Sequence, residues 1–146
     1  MARLDLDALL NALLAFAKQM LAKRGEFHPF GASTNNEGEV SIIAPSTSDD
    51  RPEASELIEL LEEGLRSAAG NGQIRAAGIC LDVRLTPPGQ TRISDAIHAK
   101  LEHKNGETAN VFLLYRRGLL GRIKYGELFA TQAAPTIFQQ PKEGQK

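Results

Sequence analysis

Few side chains in this 146-residue chain stand where they could do chemistry. His28, His98 and His103 are the only histidines. His98 and His103 lie five apart on one extended segment, so the two-residue period of a strand sends them to opposite faces and they cannot share a metal ion. No Cys/His pattern has zinc spacing, and no H-E-x-x-H, G-x-S-x-G, phosphate-loop or dinucleotide fingerprint occurs. Cys80 is alone. Two readings are open for it: a small packed side chain, as free cysteines usually are, or a nucleophile, against which no histidine is adjacent in sequence. Asp82 and Asp95 fall on neighbouring strands and could approach across the sheet. A carboxylate pair doing acid–base work needs one raised pKa; the alternative is two surface or turn-facing carboxylates. No residue is assigned a catalytic role, and no metal or cofactor is expected.

One segment is better placed to recognise a partner. In Tyr115–Tyr125, Arg116, Arg117, Arg122 and Lys124 flank Leu119 and Leu120, which Gly118 and Gly121 bound. A hairpin with an apolar tip and a basic collar suits an acidic protein or a membrane surface. The alternative is an ordinary basic hairpin whose leucines fold back on the first helix. Nucleic acid is not expected, because the net charge is −1 and no interleaved aromatics provide stacking platforms.

The elements that position these residues follow from periodicity. A first helix is expected from a cap at Asp5 or Asp7 to about Arg24, with Lys23 and Arg24 in its last turn and Gly25 as its stop. Leu6, Leu10, Leu13, Ala17 and Met20 have helical spacing, but Leu9, Leu14, Phe16 and Leu21 spread the apolar surface around the cylinder. Such a helix is covered on more than one side, by the sheet and by the tail, the second helix or a second subunit. Glu26–Ala32 reads as a strand that Pro29 confines to an edge or a bulge. Asn35-Asn36-Glu37-Gly38 is a turn, Glu39–Ala44 a short strand, and Pro45–Asp50 a polar loop ending in a capping residue, with Pro52 early in the next helix. In that helix Ala54, Leu57, Ile58, Leu61, Leu65 and Ala68 mark one face, and Gly70-Asn71-Gly72 ends it. A meander follows. Ala77, Ile79, Leu81, Val83 and Leu85 alternate with a mixed face, and Pro87-Pro88-Gly89 breaks the strand. Ile93, Ile97, Ala99 and Leu101 lead to an Asn105-Gly106 hairpin. Ala109–Arg117 is apolar on both faces, and a last strand carries Ile123, Tyr125 and Leu128 or Phe129.

This order is an α+β fold: an antiparallel sheet of five or six strands with two helices, α-β-β-α-β-β-β(-β). Residues 1–130 form one domain and 131–146 a flexible tail. A chain of this length buries roughly 70% of its unfolded surface and needs no disulfide or metal to fold. The lone cysteine, and an N-terminal stretch broken by Asp5, Asp7, Asn11, Lys18 and Gln19, fit a reducing cytoplasm rather than a membrane span or secretory signal. Charge is uneven: residues 1–72 carry six basic and 12 acidic side chains, residues 73–146 carry 11 and six. That is either an early acidic helix and late basic strands or a polarised surface that orients a partner.

Two resemblances add to this. Glu26-Phe27-His28-Pro29-Phe30-Gly31-Ala32, Pro87-Pro88-Gly89 and Lys124-Tyr125-Gly126-Glu127-Leu128 together resemble an uncharacterised family of small bacterial proteins, over roughly residues 26–130. The element order resembles roadblock and other profilin-like domains. The first implies a bacterial cytoplasmic protein and carries no site residues. The expected function is a non-catalytic interaction module, of adaptor or immunity type, that self-associates and meets an acidic protein. A small enzyme or ligand sensor, with a pocket between helix and sheet, is the alternative.

Overall fold

Apolar residues three and four apart in two stretches, and alternating apolar residues in six others, give two helices and six strands. In a computed structural model, which describes residues 2–45 and 52–138, these are α1 (Ala2–Arg24), β1 (Phe30–Asn35), β2 (Val40–Ile43), α2 (Ala54–Gly70), β3 (Ile74–Leu85), β4 (Ser94–His103), β5 (Thr108–Arg117) and β6 (Ile123–Thr131), with a 3₁₀ turn at Leu119–Gly121. The strands make one antiparallel sheet in the order β2-β1-β3-β4-β5-β6. The α+β class and the element order match the pattern read from the sequence. No helix among the described residues is long and apolar enough to cross a membrane.

The helices lie on opposite faces, so β3 is covered on both. Ala76 and Cys80 pack with Leu9, Leu13, Ala17 and Leu21 of α1, while Ala77 and Ile79 pack with Leu61 and Leu65 of α2. Close approach needs glycine at two points. A Cβ at Gly78 would meet Leu13 Cδ1 at 2.7 Å, and one at Gly31 would lie 2.9 Å from Gly78 O and 3.3 Å from Leu61 Cδ2. The buried stripe of α1 thus runs through Leu9, Leu13, Ala17 and Leu21, while Leu6, Leu10 and Met20 flank it half-buried.

Several boundaries differ from the sequence reading: Ile93 lies before β4 and is 65% exposed, Pro52 lies before α2, and three further shifts bear on the packing. Helix α1 begins at Ala2, so Asp5 and Asp7 lie inside it rather than capping it; Asp5 turns inward and accepts from Arg75 Nη2 and His103 Nε2, both at 2.9 Å. β1 begins after Pro29, which owes the ladder no N–H, and so β1 sits between β2 and β3 rather than at an edge. Helix α2 begins at Ala54 with no side-chain cap; the capping residue expected at the end of the Pro45–Asp50 loop lies outside the described residues.

Residues 132–138 are not a free tail. They cross to the α2 side of the sheet, where Ala133, Ile137 and Phe138 are buried, and Ile137 and Phe138 join the α2 core. Glu102, 1% exposed, is the reason. Its Oε2 accepts from Thr136 N and Oγ1 at 2.9 and 3.0 Å, and its Oε1 from Ile137 N and Phe138 N at 2.9 and 3.2 Å. Residues 139–146 lie outside the described residues.

Candidate functional site

Strands β5 and β6 carry the basic segment. Their register sets Arg116 opposite Lys124 and Arg117 opposite Ile123. Gly118 N–H donates to Arg122 O at 2.6 Å and Arg122 N–H to Leu119 O at 3.3 Å, which closes the turn. Inside it Leu120 takes a left-handed backbone, φ 61°, the only positive φ of a non-glycine residue among those described. A side chain there costs about 1–2 kcal/mol. The result is that Leu119 and Leu120 are 91% and 96% exposed. They do not fold back on α1.

The cations divide into two groups. Arg116, Arg122 and Lys124 are exposed. Arg117 is a strut: it donates to Asp95 Oδ2 at 3.4 Å and to Gly25 O, holding the loop after α1 against the sheet. Arg116 and Lys124, directly opposite, are a like-charge cross-strand pair, an arrangement that destabilises a sheet. They border a cleft of about 350 Å³ that Gln90, Ser94 and Tyr125 also line. Lys18 of α1 sits over the Tyr125 ring at 4.8 Å and ties the hairpin to the helix.

A second constellation lies on the α1 side of β3, β4 and β5. Asp95 is opposite both Arg84 and Tyr115, and Asp82 is opposite Ile97, so the two carboxylates share a face two residues out of register. With Glu26, Arg84, Tyr115 and Arg117 they line a cleft of about 380 Å³. Tyr115 O–H donates to Asp82 Oδ1, and Arg84 Nε and Arg117 Nη1 approach Asp95 at 3.6 and 3.4 Å. Burial pushes the Asp82 carboxyl above its usual range, and the bonds from Tyr115 and the Phe27 N–H offset that only in part. Burial, followed by the bond to the Asp82 carboxylate, pushes the Tyr115 phenol up as well. Asp82 and Asp95 therefore do come together, rather than facing solvent as separate surface groups. Each already has protein partners, and the geometry is that of a latch between the strand ends and the α1–β1 loop.

The remaining chemical side chains are accounted for locally. Cys80 is buried, and burial, with the nearby Asp82 charge, raises its thiol far above the ordinary value, so it holds little thiolate at neutral pH. His28 is exposed. His98 and His103 face opposite sides as expected: His103 bonds Asp5 beneath α1, and His98 donates to Asn110 Oδ1 at 2.8 Å on the other face. No group of three or more His, Cys, Asp and Glu among the described residues could hold a metal ion.

Sequence reasoning missed one feature. His98, Phe112 and Phe129 stack across β4, β5 and β6, with ring centroids 4.3 and 4.9 Å apart and planes within 18° of parallel. Only the strand register could have revealed it. No family model, curated protein or solved structure matches the chain.

Proposed function

We propose that this protein is a non-catalytic, self-associating interaction module whose β5–β6 hairpin docks an acidic protein partner in the bacterial cytoplasm. One observation carries the reading: two adjacent leucines stand almost fully exposed at a tip whose backbone is held left-handed at a non-glycine residue. Exposed apolar surface rimmed by polar residues is the form that interaction sites take. The opposed Arg116 and Lys124 give the reading its sign, since an anionic group between them relieves their repulsion.

The test uses tagged full chain and two double variants, Arg116→Ser/Arg122→Ser and Leu119→Ser/Leu120→Ser, with partners captured, identified and then purified for kinetics. The charge variant slows association and flattens its salt dependence; the leucine variant speeds dissociation; neither lowers the melting temperature. Identical partners and rates for all three proteins retire the hairpin. Arg117 is kept intact, because its removal loosens the α1–β1 loop.

The Asp82–Tyr115 cleft favours the second reading, a ligand sensor or small enzyme. Its weakness is that Asp82, Asp95, Arg84, Arg117 and Tyr115 already bond one another. Asp82→Asn separates the two readings: partner capture is unchanged if the hairpin is the site.

A further inference from the structure

We infer that the protein self-associates by antiparallel pairing of β6 with β6 of a second copy, centred on Leu128–Ala130 about a two-fold axis at Phe129. This rests on the self-association proposed above and specifies its surface. β6 is the last strand of the sheet, nine residues long, and its side chains are exposed apart from Ile123 and Phe129, which are half-buried. The opposite edge, β2, has only four residues.

Proteins guard long edges with charges, bulges or proline, because an edge offers unpaired N–H and C=O groups to any passing strand. The first half of β6 is guarded. Lys124 stands there, and the register shifts between Leu113 and Tyr115, so that Gly126 and Glu127 together oppose Leu114 in a bulge that bends the strand. The second half has neither device. From Leu128 to Thr131 there is no charge, no proline and no bulge, and Leu128 is 53% exposed.

The occupant follows from self-complementarity. With Phe129 on the axis, Leu128 meets Ala130 of the second copy and Glu127 meets its Thr131, so no like charges face each other. A register centred on Glu127 would oppose two carboxylates. The aromatic stack decides among the rest. His98, Phe112 and Phe129 step across the sheet at 4.3 and 4.9 Å, close to the strand spacing of about 4.8 Å, and the stack stops at the edge. Pairing about Phe129 sets the second copy's Phe129 at the next step, so the stack runs on through Phe112 and His98 of that copy. All the rings of the two stacks then form one row. Leu128 and Ala130 make the α1 side of the junction apolar, and on the other side Phe129 stands between Glu127 and Thr131.

Sedimentation of the full chain over a range of concentrations, with four variants, tests this. The wild type moves from monomer towards dimer as concentration rises, and Leu128→Glu, a change at an exposed position, abolishes the shift. Leu4→Glu, on the exposed side of α1, leaves it intact. Under mild oxidation Phe129→Cys forms a disulfide-linked dimer, because residues on the axis lie within bonding distance, while Glu127→Cys, several residues out of register with its own copy, does not. Cys80 is buried and does not compete. A wild type that stays monomeric at every concentration overturns self-association and this interface together. Three results overturn the β6 interface and leave self-association standing: a dimer that persists in Leu128→Glu, a dimer that Leu4→Glu abolishes, or cross-linking of the Glu127→Cys variant without that of Phe129→Cys.

Discussion

Glu102 shows how one side chain can decide the course of a segment. Almost fully buried, it offers four acceptor sites, and three consecutive backbone N–H groups and the Thr136 hydroxyl fill them. Lys100 Nζ donates to Thr136 Oγ1 at 2.9 Å and Arg66 Nε to Thr136 O at 2.7 Å, so the same residue is also gripped from β4 and α2. Glu102→Ala leaves those N–H groups without partners and detaches Ile137 and Phe138 from the α2 core. The expected cost is about 3–5 kcal/mol, the range for breaking a buried charged network. Urea midpoints measure it, and limited proteolysis of the variant cuts first between 132 and 138. A variant with the wild-type midpoint and digestion pattern would show that the strap holds by its apolar side chains alone.

At the scale of the element, α2 and α1 contrast. Leu57, Leu61 and Leu65 of α2 are buried in a single line with glutamates around them, and this face was legible as a period in the sequence. Leu61→Ala is expected to cost about 2–5 kcal/mol through the cavity it leaves. Glu59→Ala, on the exposed side, stays within about 0.5 kcal/mol. Equal urea midpoints for the two would mean that the helix packs through another face. Helix α1 was less legible, because apolar residues encircle it. Which four of them lie deepest is set by where Gly78 lets the helix approach, a property of β3 rather than of α1.

Across the whole molecule, two carboxyls oppose each other in their effect on stability. Burial alone would raise the Asp5 carboxyl, but the Arg75 guanidinium and His103 hold it below the usual range. Folding therefore favours its ionised form. The stability it contributes is present above the unfolded value and is lost as pH falls through the depressed folded one. Asp82 is the reverse. Its folded value lies above the unfolded one, so folding favours the protonated form, and stability declines as pH rises from the ordinary carboxylate range through the raised folded value. Urea midpoints from acidic to neutral pH separate the two: Asp5→Asn weakens the loss on acidification, and Asp82→Asn removes the decline above the carboxylate range. Parallel curves for wild type and both variants would show that neither carboxyl couples to folding.

The α+β class, the element order and the face of α2 were determined by the sequence alone, because each is written in local periodicity. Turn chemistry was enough for Asn35–Gly38, where Asn35 Oδ1 accepts from the N–H groups of Glu37 and Glu39 at 2.9 Å. The basic hairpin was also legible, since four cations, two leucines and two glycines lie within nine residues. Its exposure was not. Whether Leu119 and Leu120 point out or fold back depends on the backbone at Leu120 and on the contact of Arg117 with Gly25, a residue 92 positions away. Register was the other limit. Asn105-Gly106 read as a two-residue turn would set His98 opposite Leu113. In the fold the loop has three residues, 104–106, with Gly106 at φ 99°, and His98 meets Phe112. A one-residue slip exchanges the faces of a strand. The stacking of His98 on Phe112 and the joining of Asp82 with Tyr115 hang on that single residue, which long-range packing of both sheet faces fixes and local sequence does not.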